Sequence, residues 1–141
     1  MISIDKQTGF ATIIKKPQQP EKLLHISCVQ WFNFQYGNSG AILNHSPNEN
    51  QSGGDRVKSI RYNATMKKMG RITGFPDLTL YHKGKATFIE LKSNTGRQSD
   101  TQKEFQQRAI NASFEYHIVR TLEEFMSIVN LFLIENDTNN L

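Results

Sequence analysis

Cysteine is nearly missing: Cys28 is the one thiol in 141 residues. A lone cysteine excludes an intramolecular disulfide framework and fits a reducing, cytoplasmic location. No apolar run approaches the length of a membrane span, and no signal peptide is visible. Zinc-ligand spacing is also lacking, since His82 and His117 have no partners at the right intervals and read as structural or surface residues. Hydrophobic residues make up 37%, low but sufficient for one domain with a proper core. Acidic residues number 13 against 17 lysines and arginines, a net charge of +4. That balance suits a polyanionic partner, although many equally basic proteins bind none.

The informative stretch is residues 74–92. Leu78-Thr79-Leu80-Tyr81 and Ala86-Thr87-Phe88-Ile89-Glu90-Leu91 alternate like strands, and His82-Lys83-Gly84-Lys85 supplies a hairpin turn between them. Asp77 then opens one strand and Glu90 closes its neighbour. Side chains alternate faces, so Glu90 and Lys92 point the same way, about 6.6 Å apart at about 3.3 Å per residue. Ile89 and Leu91 point the other way, into a core. An acid and a lysine ending an apolar strand are costly to bury unless paired or bound to metal.

These residue types fit a hard-metal site for phosphodiester hydrolysis. Mg²⁺ and Mn²⁺ prefer oxygen ligands, which the Asp77 and Glu90 carboxylates and the Leu91 carbonyl could supply. Lys92 cannot ligate while protonated. It could hold or help deprotonate the attacking water, or neutralise charge on the phosphate. An isolated Glu-x-Lys is weak, being expected roughly 0.5 times in a chain of this length. The conjunction of both halves on adjacent strands is stronger. The plainer alternative is a turn-forming Pro-Asp beside a rim salt bridge.

Elsewhere, Ile2-Ser3-Ile4 and Phe10-Ala11-Thr12-Ile13-Ile14 could pair around Gln7-Thr8-Gly9 or lie as an arm on another subunit. Residues 1–20 are therefore set apart from a domain of residues 21–135, and residues 136–141 are expected to fray. Residues 15–20 break the chain before a helix over residues 20–36, with Leu24, Cys28, Trp31 and Phe32 at packing intervals. Glu21, a first-turn acid suited to the helix dipole, stacks with His25. Ala41-Ile42-Leu43-Asn44 reads as a strand, and residues 45–54 as a mobile loop whose neighbours Asn44 and His45 could contact phosphate. Residues 55–69 form a basic helix with Arg56, Lys58, Arg61, Lys67 and Lys68, Arg71 lying just beyond. Val57, Ile60, Ala64 and Met66 are expected to be its buried side. Its cations would neutralise backbone phosphates near Asp77, although a solvated face is the commoner explanation of such a run. Arg97 lies in a polar turn that could approach a substrate. Ser99 is a plausible N-cap for a helix to about residue 111 with Phe105 and Ala109 inward. Tyr116-His117-Ile118-Val119-Arg120 is a last strand, and Thr121-Leu122-Glu123-Glu124 caps a last helix striped by Phe125, Ile128, Val129 and Phe132. The order helix, strand, helix, hairpin, helix, strand, helix predicts an α/β layer fold with a mixed central sheet flanked by helices.

Gly74-Phe75-Pro76-Asp77-Leu78, Phe88-Ile89-Glu90-Leu91-Lys92 and Gly96-Arg97-Gln98-Ser99-Asp100-Thr101-Gln102 resemble the successive motifs of the virus-type replication-repair nuclease (VRR-NUC) family of the PD-(D/E)xK nuclease superfamily. The likeness runs over residues 21–132. It implies a restriction-endonuclease-like fold and a Mg²⁺- or Mn²⁺-dependent DNA endonuclease of phage or prophage type, with duplex or branched DNA as partner. By analogy a compact nuclease that cuts both strands works as a homodimer. The resemblance places Asp77, Glu90 and Leu91 at the metal, Lys92 at the water, Glu21 as a supporting acid on the first helix, and Gln102 as a polar residue facing the site. His25 departs from it, since members often carry Gln there. The rival class is a catalytically silent nucleic-acid-binding module on the same fold.

Overall fold

In the computed structural model the described residues are 2–4, 11–13, 20–47 and 54–138. The Gln7-Thr8-Gly9 turn, the breaker segment before Pro20, most of the loop expected over residues 45–54 and the last three residues lie outside them. β1 (Ile2–Ile4) and β2 (Ala11–Ile13) pair antiparallel as a separate two-stranded sheet.

The main sheet grows from one hairpin. β4 (Leu78–His82) and β5 (Lys85–Leu91) are joined through Lys83 and Gly84, whose φ values of 47° and 78° are both left-handed. A two-residue turn with this signature matches the twist of the strands it joins. β3 (Ile42–His45) adds antiparallel to β4, and β6 (Glu115–Val119) adds parallel to β5, giving a mixed sheet in the order β3-β4-β5-β6.

Both faces of this sheet are covered. On one, Leu78, Leu80, Ile89, Leu91 and Val119 are wholly buried with Cys28 and Phe32 of α1 (Pro20–Tyr36) and Phe125, Val129 and Phe132 of α4 (Leu122–Thr138). Each such large apolar side chain contributes about 1.5–3 kcal/mol by leaving water. Burial pushes the Cys28 thiol up to about 12, so it behaves as a small hydrophobe there. Trp31 stands edge-on to Phe125, and the Tyr36 hydroxyl donates to Asn130, tying α1 to α4. On the other face, Phe88 meets Phe75, Phe105 and Phe114 edge to face at 5.6, 5.1 and 5.4 Å between ring centres. Phe105 comes from α3 (Asp100–Asn111), which covers this side.

Local chemistry sets the helix starts. Ser99 and Gln102 form a reciprocal capping box on α3. On α4, Thr121 Oγ1 accepts from the Glu124 N–H, while the Glu124 carboxylate reaches past the cap to the Arg120 N–H at 2.8 Å. The helix then runs on to Thr138. Asn136 is buried and donates to the Phe132 carbonyl at 2.7 Å, which holds the last turn in place.

α2 (Arg56–Lys68) is capped by Asp55, whose side chain accepts the Val57 and Lys58 N–H groups. Its expected buried side is corrected by the structure: Val57 and Ile60 are 57% and 58% exposed, Ala64 is exposed, and only Met66 is partly covered. The apolar spacing is helical, but α1, α4 and α3 already occupy both sheet faces, leaving α2 none to cover. His82 Nε2 lies 2.8 Å from Asp137 Oδ1, and His117 Nε2 lies 3.1 Å from Glu115 Oε2. No helix among the described residues is long and apolar enough to cross a membrane.

Candidate active site

Leu78 lies opposite Ile89 in the β4–β5 register, so one further step sets Asp77 across from Glu90. The Asp77 carboxylate accepts the Leu91 N–H through Oδ2 at 2.8 Å, bolting it to the end of β5. Its own backbone carbonyl is held from β3, accepting from the Ser46 N–H at 3.0 Å and from His45 Nδ1–H at 2.9 Å. His45 therefore braces Asp77, a role its sequence position did not reveal. Its ring also stands edge-on to His25 of α1, 4.5 Å between centres. Burial and His45 lower the His25 pKa, while Asp77 and Glu21 oppose the shift.

Glu90 is 1% exposed. Oε1 takes two contacts, Gln102 Nε2 at 2.6 Å and Lys92 Nζ at 3.3 Å. Oε2 is buried and has no hydrogen-bond partner among the described residues. Burial, followed by the Asp77 charge, pushes the Glu90 carboxyl up to about 8 against the pull of Lys92. Thr79 Oγ1 is similarly orphaned, but a neutral hydroxyl costs far less to strand than a carboxylate oxygen.

Gln102 belongs to two networks. Its Oε1 accepts the Ser99 N–H at 2.8 Å in the capping box, which fixes the amide so that Nε2 faces Glu90. Gly74 makes this possible. Its φ is +80°, and a Cβ there would lie 2.3 Å from the Thr101 carbonyl oxygen and 2.7 Å from the Gln102 nitrogen. Only glycine lets the loop before Asp77 touch the start of α3.

Arg120 was not singled out from sequence. Its Nη1 donates to the Ser93 and Gly96 carbonyls at 2.6 and 2.8 Å, gripping the turn that follows Lys92. A strand-end arginine carries no local signal of this. Tyr116, on the same sheet face, has its hydroxyl pKa raised by burial and then by the Glu90 charge, with Gln98 donating to it at 3.4 Å.

The structure thus brings together Asp77, Glu90, the Leu91 backbone, Lys92 and Gln102. Glu21 is partly buried in the first turn of α1, and its charge acts on both Glu90 and His25. It does not join the carboxylates in a tight cage: among the described residues no three of His, Cys, Asp and Glu converge to hold an ion. Lys67 and Arg71 line a cavity against Gln102, whereas Arg56, Lys58, Arg61, Lys68 and Arg97 are exposed outside it. The residues fit Mg²⁺ or Mn²⁺ in one respect, a buried unpartnered carboxylate oxygen beside a second carboxylate. Such ions complete their shell with water or substrate oxygens and need only one or two protein carboxylates.

A mixed four-stranded sheet, flanked by helices, carries paired acids and a lysine at the ends of its central strands, which defines an α/β layer architecture. No family model and no curated protein matches the sequence. The solved structures that are similar include two VRR_NUC domains. A "VRR_NUC domain protein" matches with a TM-score of 0.58 and 18% identity, over 82% of this chain and 89% of its own. A "VRR_NUC domain" matches at 0.53 and 14%, over 80% of this chain and 97% of its own. The shared property is the fold, the mixed α/β layer arrangement expected from the sequence.

Proposed function

We propose that this chain is a divalent-metal-dependent nuclease that hydrolyses phosphodiester bonds in DNA. The observation that carries the proposal is Glu90. A carboxylate 1% exposed, with one oxygen unpartnered and a second acid across the sheet, is an expensive arrangement for a merely structural residue. Strongly perturbed carboxyls with a specific charge partner mark functional sites. The VRR_NUC fold of the two similar structures supports the same assignment.

Asp77, Glu90 and the Leu91 carbonyl would hold the ion. Bound there, Mg²⁺ or Mn²⁺ would lower the pKa of a coordinated water and neutralise charge on the phosphate. Lys92, 3.3 Å from Glu90, positions the attacking water and stabilises the charge that develops on the phosphate oxygens. Gln102 holds Glu90 in place from α3, and Glu21 adds negative potential that favours a cation. The proposal extends to a homodimer, because one compact site serves one strand at a time.

The test is incubation of supercoiled plasmid and branched DNA with and without Mg²⁺ or Mn²⁺, beside Asp77→Asn and Lys92→Ala. Metal-dependent cleavage by the wild type, reduced at least about 100-fold in both variants, is expected from the loss of a ligand or an electrostatic stabiliser. Cleavage that survives both substitutions would place the chemistry elsewhere. Binding with no cleavage at all would assign the chain to the silent nucleic-acid-binding class.

A further inference from the structure

Gln102 also borders a cavity of about 320 Å³, lined besides by Asn63, Lys67, Arg71, Gly74, Ser99 and Thr101. No carboxylate lines it. Arg71 is partly buried, and its Nη2 donates to Asn63 Oδ1 at 2.8 Å. The guanidinium also lies 5.9 Å over the Tyr62 ring. These neutral contacts aim the guanidinium without cancelling its charge, and most of its five donors remain unspent. No ion pair to Arg71 or Lys67 occurs among the described residues.

The hydroxyls add a directed donor. Ser99 Oγ accepts the Gln102 N–H at 3.3 Å and lies 3.1 Å from Thr101 Oγ1. One hydroxyl must donate to the other, and whichever accepts keeps a hydrogen for a ligand. Two cations, a free hydroxyl hydrogen and no acid describe a receptor for a tetrahedral oxyanion.

We infer that this cavity is a phosphate-binding subsite, which takes a second phosphate of the nucleic-acid strand whose scissile phosphate lies at Asp77 and Glu90. The inference rests on the nuclease proposal for the scissile position only. Its geometric basis is Gln102, which walls the cavity and also donates to Glu90 at 2.6 Å, and Gly74, three residues before Asp77. The cavity and Glu90 thus meet at one side chain, the placement that successive phosphates of one strand require. The occupant is either an internal diester or a terminal phosphate monoester, both of which present non-bridging, negatively charged oxygens to the cations.

The test is metal-free and reads binding rather than cleavage. Backbone amide and arginine side-chain NMR shifts of the full chain in EDTA are followed with inorganic phosphate, TpT, 5′-phosphorylated pTpT, and TpT with a neutral methylphosphonate linkage. Inorganic phosphate, TpT and pTpT should shift Gly74, Thr101, Gln102 and the Arg71 guanidinium, while the methylphosphonate should not. Tighter binding of pTpT than TpT assigns a terminal phosphate, and equal binding an internal one. Arg71→Ala should weaken phosphate binding about 10- to 100-fold, as expected for a lost charged hydrogen bond. Arg71→Lys should recover part of this, and Lys85→Ala, at the other end of β5 from Glu90, should match the wild type. Unperturbed amide dispersion in each variant verifies folding. Shifts confined to other regions, or equal binding by Arg71→Ala, would overturn the inference. An active enzyme whose cavity ignores phosphate refutes only the subsite, and an inactive one whose cavity fills refutes only the nuclease.

Discussion

Replacing Glu90 with Gln isolates the energetic strain at the centre of the site. The carboxyl is pushed from its ordinary 4.5 to about 8, chiefly by burial and next by Asp77. A folded-state pKa above the unfolded value means that the native chain binds this proton more tightly. Its contribution to stability is therefore complete below pH 4.5 and is lost as pH rises through about 8. At about 1.4 kcal/mol per pH unit, full ionisation of the metal-free chain costs at most about 5 kcal/mol, with Lys92 already included in the balance. Glutamine has nearly the same shape, still accepts from Gln102 and cannot ionise.

Urea unfolding in EDTA at intervals from pH 4.5 to 9 measures the difference. Wild type and Glu90→Gln should have similar stability at the acid end, and the variant should become more stable by several kcal/mol at pH 9. Mg²⁺ should then restore wild-type stability at high pH by mass action and leave the variant unmoved. A difference between the two that stays constant across this range would show that Glu90 ionises freely and that its desolvation is not a feature of the site.

Two further substitutions test how the site is supported. Gly74→Ala combines a left-handed backbone with a Cβ 2.3 Å from the Thr101 carbonyl oxygen, so it should cost about 3 kcal/mol or more and displace Gln102. Gly84→Ala, equally left-handed but open around its Cβ, should cost only about 1–2 kcal/mol and keep wild-type cleavage; equal thermal shifts in the pair would refute the close-approach explanation. Arg120→Ala removes the grip on the Ser93 and Gly96 carbonyls and should destabilise by about 1.5–3 kcal/mol. Hydrogen exchange should quicken around residues 93–96, and unchanged exchange there would show that Arg120 does not order the turn behind Lys92.

What was legible in the sequence was what is encoded locally. The hairpin was readable because Lys83-Gly84 carries the turn in two residues, and the alternation beside it fixes which face Glu90 and Lys92 share. The caps at Ser99 and Thr121 were readable for the same reason. α2 shows where such reading stops. Its spacing of Val57, Ile60 and Ala64 states a preferred inner side, but burial also requires a neighbour with a free face, and the sheet has none to offer. Arg120 and His45 were obscure for a related reason, since their partners are backbone carbonyls 24 and 32 residues away. Carbonyls are the same whatever the residue, so no side-chain pattern announces such bonds.

Gln102 joins these two kinds of information. From residues alone it is the last member of Ser99-x-x-Gln102, a box that any helix start could use. The box consumes its Oε1 and so decides which end of the amide is left over, a donor rather than an acceptor. Gly74 then brings the start of α3 against the strand that begins at Asp77, so that donor meets Glu90. A local capping preference, worth about 1 kcal/mol wherever it occurs, thereby fixes the orientation of a carboxylate whose ionisation costs several times as much. Gln102→Glu should keep the cap yet set a third acid against Glu90, whereas Gln102→Ala should lose both. If the two variants bound metal alike, the hydrogen bond to Glu90 would be incidental to the site.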